Sequence, residues 1–354
     1  MGLQRRVWEV QRPFYGQVIR EEVALPGPQE VVVEAEWGAV SPGSEYATYS
    51  GAARETLRLD AAAGERTGDS VYPLRYGYIL TGRISFCGSD VDRDQWLGRR
   101  VYAFHSHATH AILPVDAVLP IPETVPADLA PLYANTETAL SVHWDAGVLA
   151  GEAVVIVGAG IVGLIAAGIA VRSGAGWVVV VEPEERRRSW ARRYLHDDSG
   201  IPEDNPARVV ASLEEASASL REYPGRYHGT YEGFDVAFEL TGNPNALGNV
   251  LAAMGFGGRI VVGSWYGDRD VALPLGGRFH RSRLRLISSQ VSTIPLSVHG
   301  RIDYARRSRI VWHMMPHLNL EKIARREITL DELNGLFTEI SEGSSVEPWV
   351  SIRY

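Results

Sequence analysis

The chain contains one cysteine, Cys87, in 354 residues. A single thiol excludes an intrachain disulfide and a four-cysteine zinc lobe. Basic charge is not in excess either. The 35 Lys and Arg face 43 Asp and Glu, a formal net charge of −8. A general nucleic-acid binder presents a positive surface to phosphates, so this balance argues against that class. No apolar run is long enough to span a bilayer without a glycine-rich turn inside it. Met1 to Arg20 carries charges throughout and has no signal-peptide core. Arg6 stands where a myristoylation signal after Gly2 needs Ser or Thr. The expectation is a cytoplasmic protein with a small-molecule substrate, and with neither nucleic acid nor membrane as partner.

Apolar residues make up 45% and charged residues 22%, the balance of an ordinary globular protein. The length predicts two domains. The first third reads as β-rich, with strand patterns over Val31–Trp37, Tyr78–Phe86 and Arg100–Phe104 between Gly and Pro turns. Leu59 to Ser70 reads as an exposed loop. The style changes near Val125. Ala127 to Ala146 predicts a helix. Apolar strands then alternate with helices: Val154–Val157, a helix over Ile161–Arg172 stopped by Gly174, then Trp177–Val181, Phe234–Leu240 and Arg259–Gly263. Near-continuous Val and Ile runs in such alternation predict a buried parallel sheet. After Ser292 the alternation ends, leaving a helix over Asp331–Ser341 and a strand over Val346–Tyr354. The fold class is α/β, with a β-rich domain over 1–126, a doubly wound Rossmann domain over 127–292, and a return to the first domain over 293–354.

The sharpest motif is Gly158-Ala159-Gly160-Ile161-Val162-Gly163, directly after one strand and at the head of a helix. Gly158 permits a tight turn, Gly160 lets backbone approach a pyrophosphate, and Gly163 lets helix and strand pack closely. The pyrophosphate would lie on the helix N-terminus, where free N–H groups and the dipole favour an anion. Glu182 ends the next strand, where a carboxylate binds ribose hydroxyls and repels a 2′-phosphate. This favours NAD(H) over NADP. Arg186, Arg187 and Arg188 pull the other way, since arginine holds that phosphate.

On these motifs the chain resembles the medium-chain dehydrogenase/reductase superfamily, and the resemblance covers nearly all of it. It implies that the β-rich part is a GroES-like catalytic domain. Phe238 to Pro244, with Thr241 and Gly242, resembles the adenosine-side loop. Gly257 to Gly263, with Val262, Gly263 and then Ser264, resembles the strand that reaches the nicotinamide. Ser41-Pro42-Gly43-Ser44-Glu45, Tyr76-Gly77-Tyr78, Pro274-Leu275-Gly276, Phe279-His280 and Ser288-Ser289-Gln290-Val291 are similar to a zinc-lacking, alcohol dehydrogenase-like branch. The bacteriochlorophyllide dehydrogenases are similar at these places. Zinc members carry a ligand Cys where this chain has Ser41 or Pro42. Their Gly-His-Glu motif reads Gly77-Tyr78-Ile79 here, and the third ligand position falls near Ala134 or Asn135. The structural-zinc lobe is missing. Tyr, Ile, Pro and Ala cannot supply a tetrahedral zinc set, so neither zinc is expected.

Without metal, a side chain must move the proton. Tyr78 is the first candidate, since it replaces a zinc ligand; the plainer reading is a packing tyrosine. Glu45 matches the acid that orients the site in zinc relatives, or is a strut on loop backbone. His107, in His105-Ser106-His107-Ala108-Thr109-His110, is the third; on a strand it would share a face with His105. By resemblance Asn135, Thr136 and Glu137 border the nicotinamide, and Ser289 and Gln290 meet the carboxamide. Ser41, Asn135, Trp265 and Tyr266 are expected to touch substrate. Ile161, Val162 and Arg187 complete the expected cofactor contacts. The function expected is a zinc-independent, NAD(H)-dependent oxidoreductase acting between a secondary alcohol and a ketone of a metabolite. Two alternatives stay open: an NADPH-dependent enone or quinone reductase, and a non-catalytic NAD-binding protein. The resemblance also implies a homodimer.

Overall fold

The computed structural model describes residues 2–53, 65–66, 71–196, 206–344 and 346–354. By contacts the chain forms two compact units, Met1–Leu132 with Arg325–Tyr354, and Tyr133–Ala324. Of the stretch read as a loop over 59–70, only Glu65 and Arg66 lie within the described residues, as a two-residue strand.

The first unit opens with a hairpin of β1 (Leu3–Arg12) and β2 (Tyr15–Val23). The sequence reading saw only charge here. The charges are paired across the sheet: Arg5 with Glu21 at 2.7 Å, and Arg75 with Glu9 at 3.1 Å and Glu21 at 2.7 Å. Val7, Trp8 and Val10 are meanwhile buried. The longest strand is β3 (Glu30–Val40). It is followed by β4 (Glu65–Arg66), β5 (Leu74–Arg75), β6 (Leu80–Cys87), β7 (Arg100–Ala103), β8 (His110–Pro114) and β9 (Val118–Pro120). The chain's return supplies β16 (Arg325–Thr329) and β17 (Trp349–Arg353). Two sheets result, ordered β2-β1-β5-β4 and β16-β17-β3-β6-β7-β9, with β8 also on β3. Val31 and Val33 pack with Leu80, Ile84, Val101 and Ala111 in one core. Trp8, Tyr49, Phe337 and Ile352 meet in another, where the Tyr49 and Phe337 rings stack at 4.9 Å. Side chains two apart on each strand share a face, which explains why alternating residues fill these cores.

The second unit holds β10 (Ala153–Val157), β11 (Trp177–Val181), β12 (Ala207–Val210), β13 (Phe234–Glu239), β14 (Met254–Val262) and β15 (Arg285–Ser288). All pairings are parallel, in the order β12-β11-β10-β13-β14-β15. Every residue of β10 and β11 is buried, as a sheet covered on both faces requires. The strand order reverses between β10 and β13. In doubly wound sheets, ligands bind outside the carboxyl ends at that switch.

Several boundaries differ from those expected. The helix expected over 127–146 runs only Tyr133–Ala146, after a 3-10 turn at Ala130–Leu132. Pro126 and Pro131 restrict the residues before them and supply no N–H. The helix expected over 331–341 begins at Leu333, after a 3-10 turn over Leu330–Glu332. The second unit runs to Ala324 rather than to 292. A helix at Tyr304–Met314, capped by the Asp303 side chain on Arg306 N–H at 2.6 Å, packs on the Tyr133–Ala146 helix through Trp312 and Tyr133, rings 4.5 Å apart. No helix among the described residues is long and apolar enough to cross a membrane.

Candidate functional site

The glycine loop lies between the carboxyl end of β10 and the Ile161–Arg172 helix. Gly158 has φ +109°, and a Cβ there would stand 2.7 Å from the Leu240 carbonyl. A Cβ on Gly163 would stand 2.0 Å from the Gly158 carbonyl oxygen. Around Gly160 nothing lies within 4 Å, so backbone is open on that side at the helix N-terminus. Ile161 is buried and Val162 half-buried in the first helical turn. Glu182 is buried just after β11. Its Oε2 accepts from Ala159 N–H at 3.1 Å, and its Oε1 from Glu184 N–H at 3.2 Å. An acid is thus fixed against the loop. The arginines beyond it are engaged elsewhere. Arg186 lies over the Trp190 ring at 4.8 Å, and Arg187 pairs with Glu184 at 3.5 Å. Arg188 donates to the Glu182 and Pro183 carbonyls and pairs with Glu185. An open glycine, free helical N–H groups and an adjacent carboxylate fit a dinucleotide.

Beside this loop, Leu240 N–H donates to the Val157 carbonyl at 2.9 Å, joining it to the end of β13. There Glu239 is fully buried. Its carboxylate accepts from Thr241 N–H at 2.9 Å, from the Thr241 hydroxyl and from the Tyr266 hydroxyl. Gly242 N–H donates to Ser264 Oγ at 2.9 Å, and Gly263 N–H to the Glu239 carbonyl at 3.1 Å. Burial, and then the bond to Glu239 and its charge, push the Tyr266 phenol far up. Tyr266 is therefore held by Glu239, while Trp265 is half-buried. No sequence pattern assigns Glu239 a role, because a lone acid at a strand end carries none. Ser289 N–H donates to the Val262 carbonyl at 3.0 Å, in line with the sheet, and Gln290 Oε1 accepts from Ser292 N–H at 3.0 Å.

Asn135, Thr136 and Glu137 are buried in the Tyr133–Ala146 helix. Glu137 meets the buried Arg307 at 3.0 Å, and Arg307 Nη1 donates to the Val291 carbonyl at 2.8 Å. Burial raises the Glu137 carboxyl, and Arg307 opposes this. The pair ties the segment after Gln290 to the helix.

The first unit holds a separate cluster. The Pro42–Ser50 helix carries Ser44 and Glu45, with Ser41 as its N-cap residue. The Tyr78 hydroxyl lies 3.3 Å from Ser44 Oγ, which lies 3.3 Å from Ser41 Oγ. Glu45 is buried. Its Oε1 accepts from Ser41 N–H at 2.8 Å, and its Oε2 lies 2.9 Å from His107 Nε2. His107 is fully buried, and its Nδ1 lies 3.2 Å from the Tyr354 hydroxyl. Gly77, at φ +123°, makes room: a Cβ there would stand 2.8 Å from the His107 ring. Burial raises the Tyr78 phenol and the Glu45 charge adds to it, while bonds to Ser41 and Ser44 lower it. Burial likewise pushes the Tyr354 phenol far up. Thus Tyr78, Glu45, His107 and Ser41 are brought together, with Ser44 and Tyr354 added. Tyr354 stands at the end of a strand far from the motif, and no spacing rule links it to His107. The His105–His107 segment is not a strand. His105 Nδ1 instead meets the Ser106 carbonyl at 2.7 Å, so the two rings have different partners.

Cys87 is buried among Val31, Leu80 and Ile84. Both His107 nitrogens are taken, and the motif positions after Gly77 hold Tyr78 and the buried Ile79. Among the described residues, no three His, Cys, Asp or Glu side chains converge as metal ligands.

A doubly wound sheet with a glycine loop and an acid at its switch is the arrangement in which open α/β sheets bind dinucleotides. Residues 162–298 match the family of zinc-binding dehydrogenases. The chain is 29% identical over 301 residues to the L-threonine 3-dehydrogenase of Anaeromyxobacter dehalogenans (strain 2CP-C), covering 79% of this chain and 76% of that one. Its fold is similar to that of 2R,3R-butanediol dehydrogenase from Bacillus subtilis, with TM-score 0.75, 17% identity and 99% of each chain covered. It is similar also to a protein described as a short chain alcohol dehydrogenase of E. coli CFT073, complexed with the cofactor NADH, with TM-score 0.73, 16% identity and 100% of each chain covered. The likeness is to the medium-chain, zinc-binding-type dehydrogenases, of which the L-threonine 3-dehydrogenases are one kind. These matches do not single out the zinc-lacking branch similar to the bacteriochlorophyllide dehydrogenases.

Proposed function

We propose that this chain is a zinc-independent, NAD(H)-dependent oxidoreductase that interconverts a secondary alcohol and a ketone on a metabolite. The observation that carries the reading is the hydroxyl series Tyr78, Ser44 and Ser41 beside the Glu45 carboxylate. A nicotinamide dinucleotide, when bound, supplies or accepts the hydride. Gly158, Gly160 and Gly163 would seat its pyrophosphate and Glu182 its adenosine ribose. Thr241, Gly242, Val262, Gly263, Ser264, Ser289 and Gln290 would border the rest. The Tyr78 oxygen gives its proton to the carbonyl oxygen during reduction, or takes it from the alcohol in the reverse direction. Ser44 and the half-buried Ser41 pass that proton to and from water.

Three features support the details. Engagement of all three arginines near Glu182 supports NAD(H). The occupied His107 nitrogens and the core-packed Cys87 support zinc independence. The names of the relatives above support an alcohol substrate. We propose a homodimer as well. Among the described residues β15 is an edge strand, paired with β14, and Leu286 on it is 39% exposed. Light scattering checks the assembly.

The functional test measures dihydronicotinamide oxidation with ketones, enones and quinones, before and after chelation. Turnover of ketones with NADH, unchanged by chelator, is expected. Turnover of quinones alone, preference for NADPH, or activity lost to chelator and restored by zinc would each reject the reading.

A further inference from the structure

The proton inventory of the first unit's cluster can be worked out from its hydrogen bonds. With Glu45 as a carboxylate, its Oε2 accepts, so His107 Nε2 is the donor of this bond. Tyr354 is the remaining partner, at Nδ1. The Ala108 backbone also bonds to the Tyr354 oxygen in the sense that favours its ionised form, which makes Ala108 N–H the donor. One lone pair of the Tyr354 oxygen is therefore in use, and its own proton needs an acceptor. Tyr354 is half-buried, and Gly38 closes in so tightly that a Cβ there would stand 3.0 Å from the hydroxyl. Among the described residues, the acceptor within hydrogen-bond distance of that hydroxyl is His107 Nδ1, at 3.2 Å. If the ring were an imidazolium, Nδ1–H would take the Tyr354 oxygen as its acceptor, and the Tyr354 O–H would lose His107 as its own acceptor.

We propose that Tyr354 is a positioning residue: it donates to Nδ1 of His107, the ring stays neutral with its proton on Nε2, and Glu45 keeps its full negative charge beside Tyr78. The consequence lies at Tyr78, and it rests on the reading of that residue as the proton-transfer group. Around the phenol stand Ser41, Ser44 and Glu45 from the N-terminal end of the Pro42–Ser50 helix. The Tyr76 ring meets it edge-on at 6.4 Å, and Tyr102 donates to the Tyr78 carbonyl at 3.0 Å. None of these is a cation. Burial first, and the uncompensated carboxylate in addition, therefore keep the phenol in its acid form, the form that donates to a carbonyl oxygen.

The test needs neither cofactor nor substrate, so its failure is separate from failure of the oxidoreductase reading. Long-range proton–nitrogen correlation spectra of the full chain at neutral pH, with His107 assigned by loss of its signals in His107→Gln, read the tautomer directly. The expected result is one protonated nitrogen, Nε2, and one unprotonated, hydrogen-bonded Nδ1. Tyr354→Phe should move the Nδ1 signal towards that of a ring nitrogen without a hydrogen bond. A doubly protonated wild-type ring, a proton on Nδ1, or an Nδ1 signal unmoved by Tyr354→Phe overturns the proposal. If Tyr354→Phe does not fold, the wild-type tautomer alone decides. Glu45→Gln adds a second readout. With tyrosine isotope-labelled at Cζ and assigned through Tyr78→Phe, the Tyr78 phenol should ionise at lower pH than in wild type; an unchanged ionisation breaks the link to Glu45.

Discussion

Two alanine substitutions in one loop should fail in opposite ways. At Gly163 the added methyl would sit 2.0 Å from the Gly158 carbonyl oxygen and 3.5 Å from Ile156 Cγ2. An ordinary carbon–oxygen contact needs more than a further ångström, and the obstacle is backbone, which cannot rotate aside. The helix must lift off β10. Overpacking of this kind costs about 1–3 kcal/mol. In a unit of this size each kcal/mol lowers Tm by roughly 2–4 °C, so Gly163→Ala should melt about 2–12 °C below wild type. At Gly160 the same methyl meets nothing within 4 Å, and the backbone is extended at φ −73° and ψ 177°, open to any residue. Gly160→Ala should fold with stability within about 0.5 kcal/mol of wild type. Its methyl occupies the space where a pyrophosphate must approach. NADH affinity should fall tenfold or more, about 1.4 kcal/mol. Thermal melts and NADH titration by calorimetry separate the two. A Gly160→Ala protein that binds NADH like wild type would refute the loop as the phosphate seat. A Gly163→Ala protein as stable as wild type would refute the close approach.

Replacing Tyr78 with Phe should lower kcat by roughly 10²–10⁴, the range for loss of a general acid, with NADH affinity unchanged; steady-state kinetics and titration check both, and full activity removes Tyr78 from the chemistry. Glu182→Ala should weaken NADH binding by about tenfold and leave NADPH binding equal or tighter, since an acceptor for ribose hydroxyls is lost and a repulsive charge goes with it; unchanged selectivity would point to another determinant. His143 is buried in the second unit against Phe238, and burial pushes its imidazole from 6.5 down to about 4. Its folded form is neutral, so its stabilising effect is complete above 6.5 and is lost as pH falls from there towards 4. The loss reaches roughly 3 kcal/mol, and His143→Gln should flatten that part of the stability curve measured by urea unfolding.

Much of the second unit was legible because its signals are local. The Ile161–Arg172 helix and the Trp177–Val181 strand fall where periodicity put them, since fully buried strands leave unbroken Val runs and the following glycine stops the helix. The glycine motif needed only its flanking strand and helix. The β1–β2 hairpin was missed because its charges pair with one another across strands, which no single-strand pattern records. The helix at Tyr304–Met314 was hidden by its arginines, one of which, Arg307, is buried on Glu137 from another helix. In the first unit Tyr78, Glu45 and His107 could be named from resemblance, but what connects them could not. Ser44 lies 34 residues from Tyr78 and Tyr354 lies 247 from His107. Those contacts exist only once β3, β6 and β17 are assembled in one sheet.

The lone cysteine gives this protein an internal clock for its own opening. Cys87 ends β6 inside an apolar cluster, and burial raises its thiol so that little thiolate is available. Alkylating reagents should spare the native chain and label it only when that strand pair separates. With Cys87 the sole thiol, the labelling rate needs no assignment and no mutagenesis, and it times excursions of the first unit while the second unit stays silent. Ligands that slow this labelling must act on the first unit's stability, and those that leave it unchanged must not.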